Sequence, residues 1–149
     1  MTFPALPATI RDLIGLIARI AFGVVLTAHG CQKLFEWTMS GTAEAFAGMG
    51  VPAPSLSAWI AALVEFGGGI LIVFGAFQTI VGILVAVQML AAWIFAHTGN
   101  GLFVADGGPE LVIMIAVAGL LIAAFGSGRF SVDAILARRK QPGIAESAA

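Results

Sequence analysis

The chain alternates between four long apolar stretches and short polar connections. The apolar stretches run approximately over Ile10–Phe35, Leu56–Phe77, Ile80–Ala96 and Glu110–Phe125. Each stretch is continuously apolar, whereas a transmembrane barrel shows short segments of alternating polarity. A bilayer core needs about 20 mostly apolar residues for each helix that crosses it. The pattern therefore predicts an all-α polytopic membrane protein whose four transmembrane helices form one bundle.

The composition agrees with a location in the bilayer. Hydrophobic residues make up 60% of the 149 residues and charged residues 10%, with a mean hydropathy of +1.04. Globular proteins carry about 25% charged residues. The 10% in this chain are too few to cover the surface of a soluble fold. The net charge of −1 argues against a nucleic-acid partner. The expected partners are the lipid bilayer and other membrane-protein subunits or further copies of the chain.

The basic residues predict the orientation of the chain. Arg11 precedes the first apolar stretch, and Arg138–Lys140 follows the last one. By the positive-inside rule, both termini are expected in the cytoplasm, with the protein in the cell (inner) membrane. We expect a single domain over residues 1–140 and a disordered tail over residues 141–149.

Two ionisable residues interrupt the apolar stretches, at a cost of roughly 2.5–3.5 kcal/mol each. The helical rise of 1.5 Å per residue places Glu65 near the midplane and Arg19 about 6 Å towards the cytoplasm, so that contact between them is expected. Gly68 and Gly69 lie one helical turn after Glu65 and leave room for a neighbouring helix or a flat ligand. Gln88 lies near the middle of the third stretch. These five residues form a predicted buried polar centre, either a ligand-binding site or an ion pair that fixes helix register.

A second set of polar residues lies at the predicted outer boundary of the membrane. It comprises His29, Lys33, His97 and Glu110. Their spacing does not match known zinc patterns, so no metal site is predicted. Cys31 is the only cysteine, which excludes a disulfide within the chain, and we expect it to act as a small apolar filler.

Five short motifs occur in order along the chain: Ala18-Arg19, His29–Leu34, Val51–Pro54, Glu65–Gly69 and Gly126–Asp133. Their order and spacing resemble the DoxX family of small four-helix membrane proteins. The resemblance covers about residues 12–136 and implies the same four-helix fold. Some members of that family are linked to thiosulfate:quinone oxidation, and others to membrane redox complexes and oxidative-stress resistance.

Two functions are compatible with the sequence and this resemblance. In the first, the chain is a quinone-interacting subunit of a membrane redox or oxidative-stress system. A quinone would enter beside the glycines of the second helix, where Arg19 and Glu65 contact its oxygens. Any enzyme activity would then be that of a quinone-dependent oxidoreductase. In the second, the chain is a non-catalytic accessory or assembly subunit. It would dock to a larger membrane complex through small-residue faces such as Gly119 and Ala123.

Overall fold

The computed structural model describes residues 6–126 and 128–139, which form helices joined by turns. The α-helices are α1 (Ala8–Cys31), α2 (Thr38–Gly48), α3 (Pro54–Phe74), α4 (Gln78–Ala92), α5 (Glu110–Phe125) and α6 (Val132–Arg139). Two of them continue as π-helices, α1 over Gln32–Glu36 and α4 over Trp93–His97, and a 3-10 turn covers Val104–Asp106.

Three helices are long and apolar enough to cross a membrane: Ala8–Glu36, Pro54–Phe74 and Gln78–His97. The fourth, α5, is equally apolar but has only 16 residues. The all-α polytopic fold is thus confirmed, with a fourth helix shorter than the others. The cytoplasmic location of the termini and the single domain stay predictions. The tail at 141–149 lies outside the described residues.

The connection between the first two spans contains a helix that the sequence pattern did not indicate. Thr38, the first residue of α2, adopts a left-handed conformation (φ 59°), and α2 folds back beside α3. The hydroxyl of Thr42 has one proton, which it shares between the carbonyl oxygens of Thr38 (2.9 Å) and Lys33 (3.3 Å). The contact with Lys33 reaches a carbonyl group near the end of the preceding helix, where such groups lack helical partners. The mixed small and polar residues of α2 form no clear apolar stripe, which explains why it was missed.

Glycines bring α1 and α3 into direct backbone contact. A Cβ added to Gly23 would lie 2.7 Å from the carbonyl oxygen of Gly69. One added to Gly30 would overlap the backbone of Phe66. Such contacts between small residues are the usual way in which membrane helices pack closely. They fix one antiparallel register between α1 and α3.

A similar contact joins α4 to α5. A Cβ on Gly119 would lie 2.8 Å from the carbonyl oxygen of Gly82, and a Cβ on Gly82 would lie 3.0 Å from the side chain of Ala123. The prediction that Gly119 and Ala123 form an external docking face is therefore wrong. Both residues are used in packing within the bundle.

The bundle has two ends that differ in packing. At the termini end, a tight turn over Gly75–Phe77 connects α3 to α4, and the start of α6 and Arg19 of α1 contact this turn. At the opposite end, which we call the cavity end, both π-helices and the first turn of α3 line one cavity. The hydrophobic core contains Leu26, Ile72, Val81, Val85, Met89 and Ile115.

Candidate functional site

Glu65, near the middle of α3, is the centre of a hydrogen-bonded network. Its Oε2 accepts a hydrogen bond from the Nζ of Lys33 at 2.6 Å, and its Oε1 accepts one from the Nε2 of Gln88 at 2.7 Å. The side chains of Lys33 and Glu65 are only 12% and 5% exposed. A buried carboxylate is tolerated when it is paired and hydrogen-bonded, and here both oxygens have partners.

The first π-helix positions Lys33. The N–H of Trp37 donates to the carbonyl oxygen of Gln32 at 2.9 Å, a bond to the fifth preceding residue that defines this wider helix. The Lys33 ammonium lies 5.7 Å from the centre of the Trp37 ring, within the range of a cation–π contact. Single π-helical turns are frequent at functional sites.

The second π-helix ends at His97 and lies at the same end of the bundle. The Nδ1 of His97 lies 2.7 Å from the carbonyl oxygen of Gly107, and the side chain of Asn100 donates to the same oxygen at 3.0 Å. These contacts attach the end of α4 to the loop before α5.

A cavity of about 690 Å³ adjoins the network, and every helix from α1 to α5 contributes to its walls. Most of the lining is apolar, which is typical of sites for small organic molecules, and the volume falls within their usual range of about 300–1,000 Å³. The polar residues that line it are His29, Gln32, Lys33, Ser57, Glu65, Gln88 and His97.

One polar atom in the wall has no partner among the described residues. The Oε1 of Gln88 is buried, and the structure assigns it no hydrogen bond there. A buried acceptor without a donor costs about 1–3 kcal/mol.

The predicted contact between Arg19 and Glu65 is wrong. The Nη2 of Arg19 donates to the carbonyl oxygen of Phe130 at 2.7 Å, and its guanidinium packs against Gly75. Gly75 lies ten residues beyond Glu65 in the chain, which corresponds to about 15 Å along a helix. Arg19 therefore lies level with the α3–α4 turn at the termini end, whereas Glu65 lies near mid-span.

Arg19 belongs to a C-terminal clasp, the segment Phe130–Asp133 and its contacts with α1 and the α3–α4 turn. The N–H of Asp133 donates to the carbonyl oxygen of Gly75 at 3.0 Å. Its carboxylate accepts hydrogen bonds from the N–H groups of Phe77 (2.9 Å) and Gln78 (3.1 Å). These N–H groups begin α4, where a negative charge is favourable.

Of the other predicted residues, some line the cavity and some take part in the packing of helices and loops. His29, Lys33 and His97 line the cavity, as does Gln88. Glu110 does not, because its Oε1 accepts the N–H of Val104 at 2.8 Å and holds the preceding loop.

Gly68 and Gly69 serve helix packing. A Cβ on Gly68 would lie 3.2 Å from Val81 of α4, and one on Gly69 would lie 2.6 Å from the backbone nitrogen of Thr27 in α1. Among residues 6–126 and 128–139, no group of three His, Cys, Asp or Glu side chains could hold a metal ion.

Among the polar residues of the cavity wall, sequence reasoning missed Gln32 and Ser57, and it also missed Trp37. A signal for Gln32 was present, because it is a polar residue next to Lys33 near the end of an apolar helix. Nothing in the sequence indicated the π-helical turn that brings Trp37 beside Lys33.

Comparison with known proteins gives consistent matches. A family model described as DoxX matches residues 14–98. The chain is 32% identical to the inner membrane protein YphA of Escherichia coli (strain K12), over 83% of this chain and 90% of YphA. It is 31% identical to the inner membrane protein YqjF of the same organism, over 87% and 97% of the two chains.

A relative from Bacillus subtilis (strain 168) has the name "Putative oxidoreductase CatD". It is 29% identical over 86% of this chain and 90% of the relative. No solved structure matches the chain. Residues 14–98, matched by the family model, include Glu65 with both of its partners and His97, whereas the C-terminal clasp lies beyond them.

Proposed function

Because the chain belongs to the DoxX family of membrane proteins, we propose that its cavity binds a lipid-soluble quinone as part of a membrane redox system. The relative named as an oxidoreductase supports a redox role. The observation that carries the proposal is the network of Lys33, Glu65 and Gln88 in the wall of an otherwise apolar cavity.

The chemistry of this wall suits a quinone, which combines a flat apolar ring with two oxygens. The Lys33 ammonium has three N–H bonds, of which one is directed at Glu65, so that others can hold a carbonyl oxygen. The net charge of Lys33 and Glu65 is zero, which suits a neutral ligand.

Reduction of a quinone takes up two electrons and two protons, which would come from a redox partner protein and from water respectively. The residues of this chain would bind and orient the ring. Lys33 would donate a hydrogen bond to a ligand oxygen, and Glu65, 2.6 Å from the ammonium, would hold Lys33 in place. Gln88 would keep the carboxylate in place from α4.

Access from the lipid is compatible with the cavity walls. Ile60 of α3 and Leu84 and Val87 of α4 line the cavity, and each remains about half exposed or more (53%, 48% and 61%). The cavity is therefore open towards the surface of the bundle between these helices. In a bilayer, that surface faces the hydrocarbon, where quinones dissolve.

A photoreactive benzoquinone with a short tail tests the proposal on the full-length protein in lipid nanodiscs. We expect labelled peptides from the cavity-facing parts of α3 and α4, with labelling competed by unmodified quinone. Glu65→Gln should reduce competed labelling by roughly tenfold or more, as expected for the loss of a charged hydrogen-bond partner. Glu44→Gln, on the exposed face of α2, is the matched control and should leave labelling unchanged.

Labelling that is not competed, or that is spread over the outer face of α5, would contradict a quinone site. If the chain is not labelled by the quinone but co-purifies with other protein subunits in stoichiometric amounts, the accessory or assembly function is favoured instead. The two outcomes are distinguished by intact-mass analysis of the same preparation.

A further inference from the structure

The two ends of the bundle carry opposite charge. At the termini end, the described charged residues are five arginines and two aspartates: Arg11, Arg19, Arg129, Arg138, Arg139, Asp12 and Asp133. From Glu65 to the cavity end, they are one lysine and five acids: Lys33, Glu36, Glu44, Glu65, Asp106 and Glu110.

The acids of the termini end already have partners. The carboxylate of Asp133 accepts the N–H groups that begin α4. Asp12 lies 3.5 Å from Arg129, whose side chain is still 61% exposed. Arg138 and Arg139 are exposed and form no ion pair with another described residue. The exposed side chains of Arg129, Arg138 and Arg139 are therefore available to an external anion.

Helix α6 also presents apolar side chains beside these arginines. The clasp fixes its first turn level with the α3–α4 turn. Phe130, Ile135 and Leu136 are 54%, 52% and 44% exposed, and Phe77 of the turn is 58% exposed. A short helix with exposed apolar residues and terminal arginines is typical of segments that lie in the membrane interface.

We propose that α6 lies in the interface at the termini end and that Arg129, Arg138 and Arg139 bind the phosphate groups of anionic phospholipids. Arginine suits phosphate because its planar guanidinium can donate two parallel hydrogen bonds. The exposed apolar residues enter the acyl region beside the headgroups. This inference does not depend on the quinone proposal.

Native mass spectrometry of the full-length protein tests the site, with an equimolar mixture of phosphatidylglycerol and phosphatidylcholine added to the detergent. We expect retention of phosphatidylglycerol over phosphatidylcholine. Each arginine near an anionic lipid surface contributes about fivefold in affinity, so that Arg138→Gln with Arg139→Gln should reduce this preference by roughly thirtyfold. The corresponding double lysine variant keeps the charge and should keep most of the preference.

Glu36→Gln with Glu44→Gln changes charge at the opposite end and serves as the matched control. Thermal unfolding without lipid checks that the variants fold, which we expect because both arginines are exposed. An unchanged preference in the double glutamine variant would overturn the proposal. So would displacement of the lipid by inorganic phosphate at matched ionic strength, since that result indicates a site for free anions.

Discussion

Arg19 and Glu65 are buried to the same degree, 5% and 4% exposed, yet their surroundings differ. Arg19 bonds to a backbone carbonyl and packs against a glycine beside the clasp. Glu65 is held by two long polar side chains in the wall of a cavity. Burial of a charge in a membrane helix therefore does not by itself indicate a binding site. The difference lies in what the charged group faces.

The largest effect on stability should come from breaking the Glu65 pair. Lys33→Met leaves a buried carboxylate without its counter-charge, and we expect a loss of about 3–5 kcal/mol in the free energy of unfolding. Lys33→Met combined with Glu65→Leu should recover most of that loss, because no unpaired charge remains. The double variant should still fail to bind quinone. Unfolding in mixed micelles and quinone photolabelling measure the two properties separately.

Arg19→Met tests the other side of the comparison. It removes a charged hydrogen bond to the Phe130 carbonyl, so that unfolding should become easier by about 1.5–3 kcal/mol. The folded fraction should label with quinone like the wild type, because Arg19 does not line the cavity. If the Arg19→Met variant is fully folded and still labels less than the wild type, a purely structural role for Arg19 is contradicted.

Asp133→Ala should have a smaller effect of the same kind. It removes the acceptor for the N–H groups of Phe77 and Gln78, and the loss of such a helix cap costs about 0.5–2 kcal/mol. Asp133→Asn retains an acceptor oxygen and should lose less. The same unfolding titration ranks the two variants, and an equal loss in both would contradict a capping role.

The smallest effect is expected at the edge of the cavity beside the loop before α5. His97→Phe removes the contact with the Gly107 carbonyl at the edge of the site, at a cost of about 0.5–1.5 kcal/mol. Quinone labelling should persist, since the Glu65 network is untouched. Complete loss of labelling would contradict a site centred on Glu65 and would indicate that the loop before α5 holds the quinone.

The sequence was sufficient to predict the helical membrane fold, because long runs of apolar residues indicate helices that are surrounded by lipid instead of water. It also named Glu65, Gln88 and Lys33 as candidate site residues, and the structure brings their side chains into contact. It placed Lys33 in a separate outer group, however, and it did not indicate the π-helix that contains this residue. A π-helical turn depends on contacts with neighbouring helices, and the spacing of apolar residues along one helix does not reveal these contacts.

The errors over the depths of Arg19 and Lys33 have one origin. Depth was estimated by placing the middle of each span at the same level. In the structure, Gly23 of α1 lies against Gly69 and Val73 of α3, so that the middle of α1 faces the end of α3. This displacement follows from contacts between small residues in two helices, and one helix alone does not reveal it.

The most direct test of the account is the affinity for a short-tailed quinone of two matched variants, Glu65→Gln and Arg19→Gln. Quenching of tryptophan fluorescence can report binding, because Trp37 lines the cavity. The account predicts at least a roughly tenfold weaker affinity for Glu65→Gln and an unchanged affinity for folded Arg19→Gln. Equal affinities in the two variants, whether both retained or both lost, would contradict it.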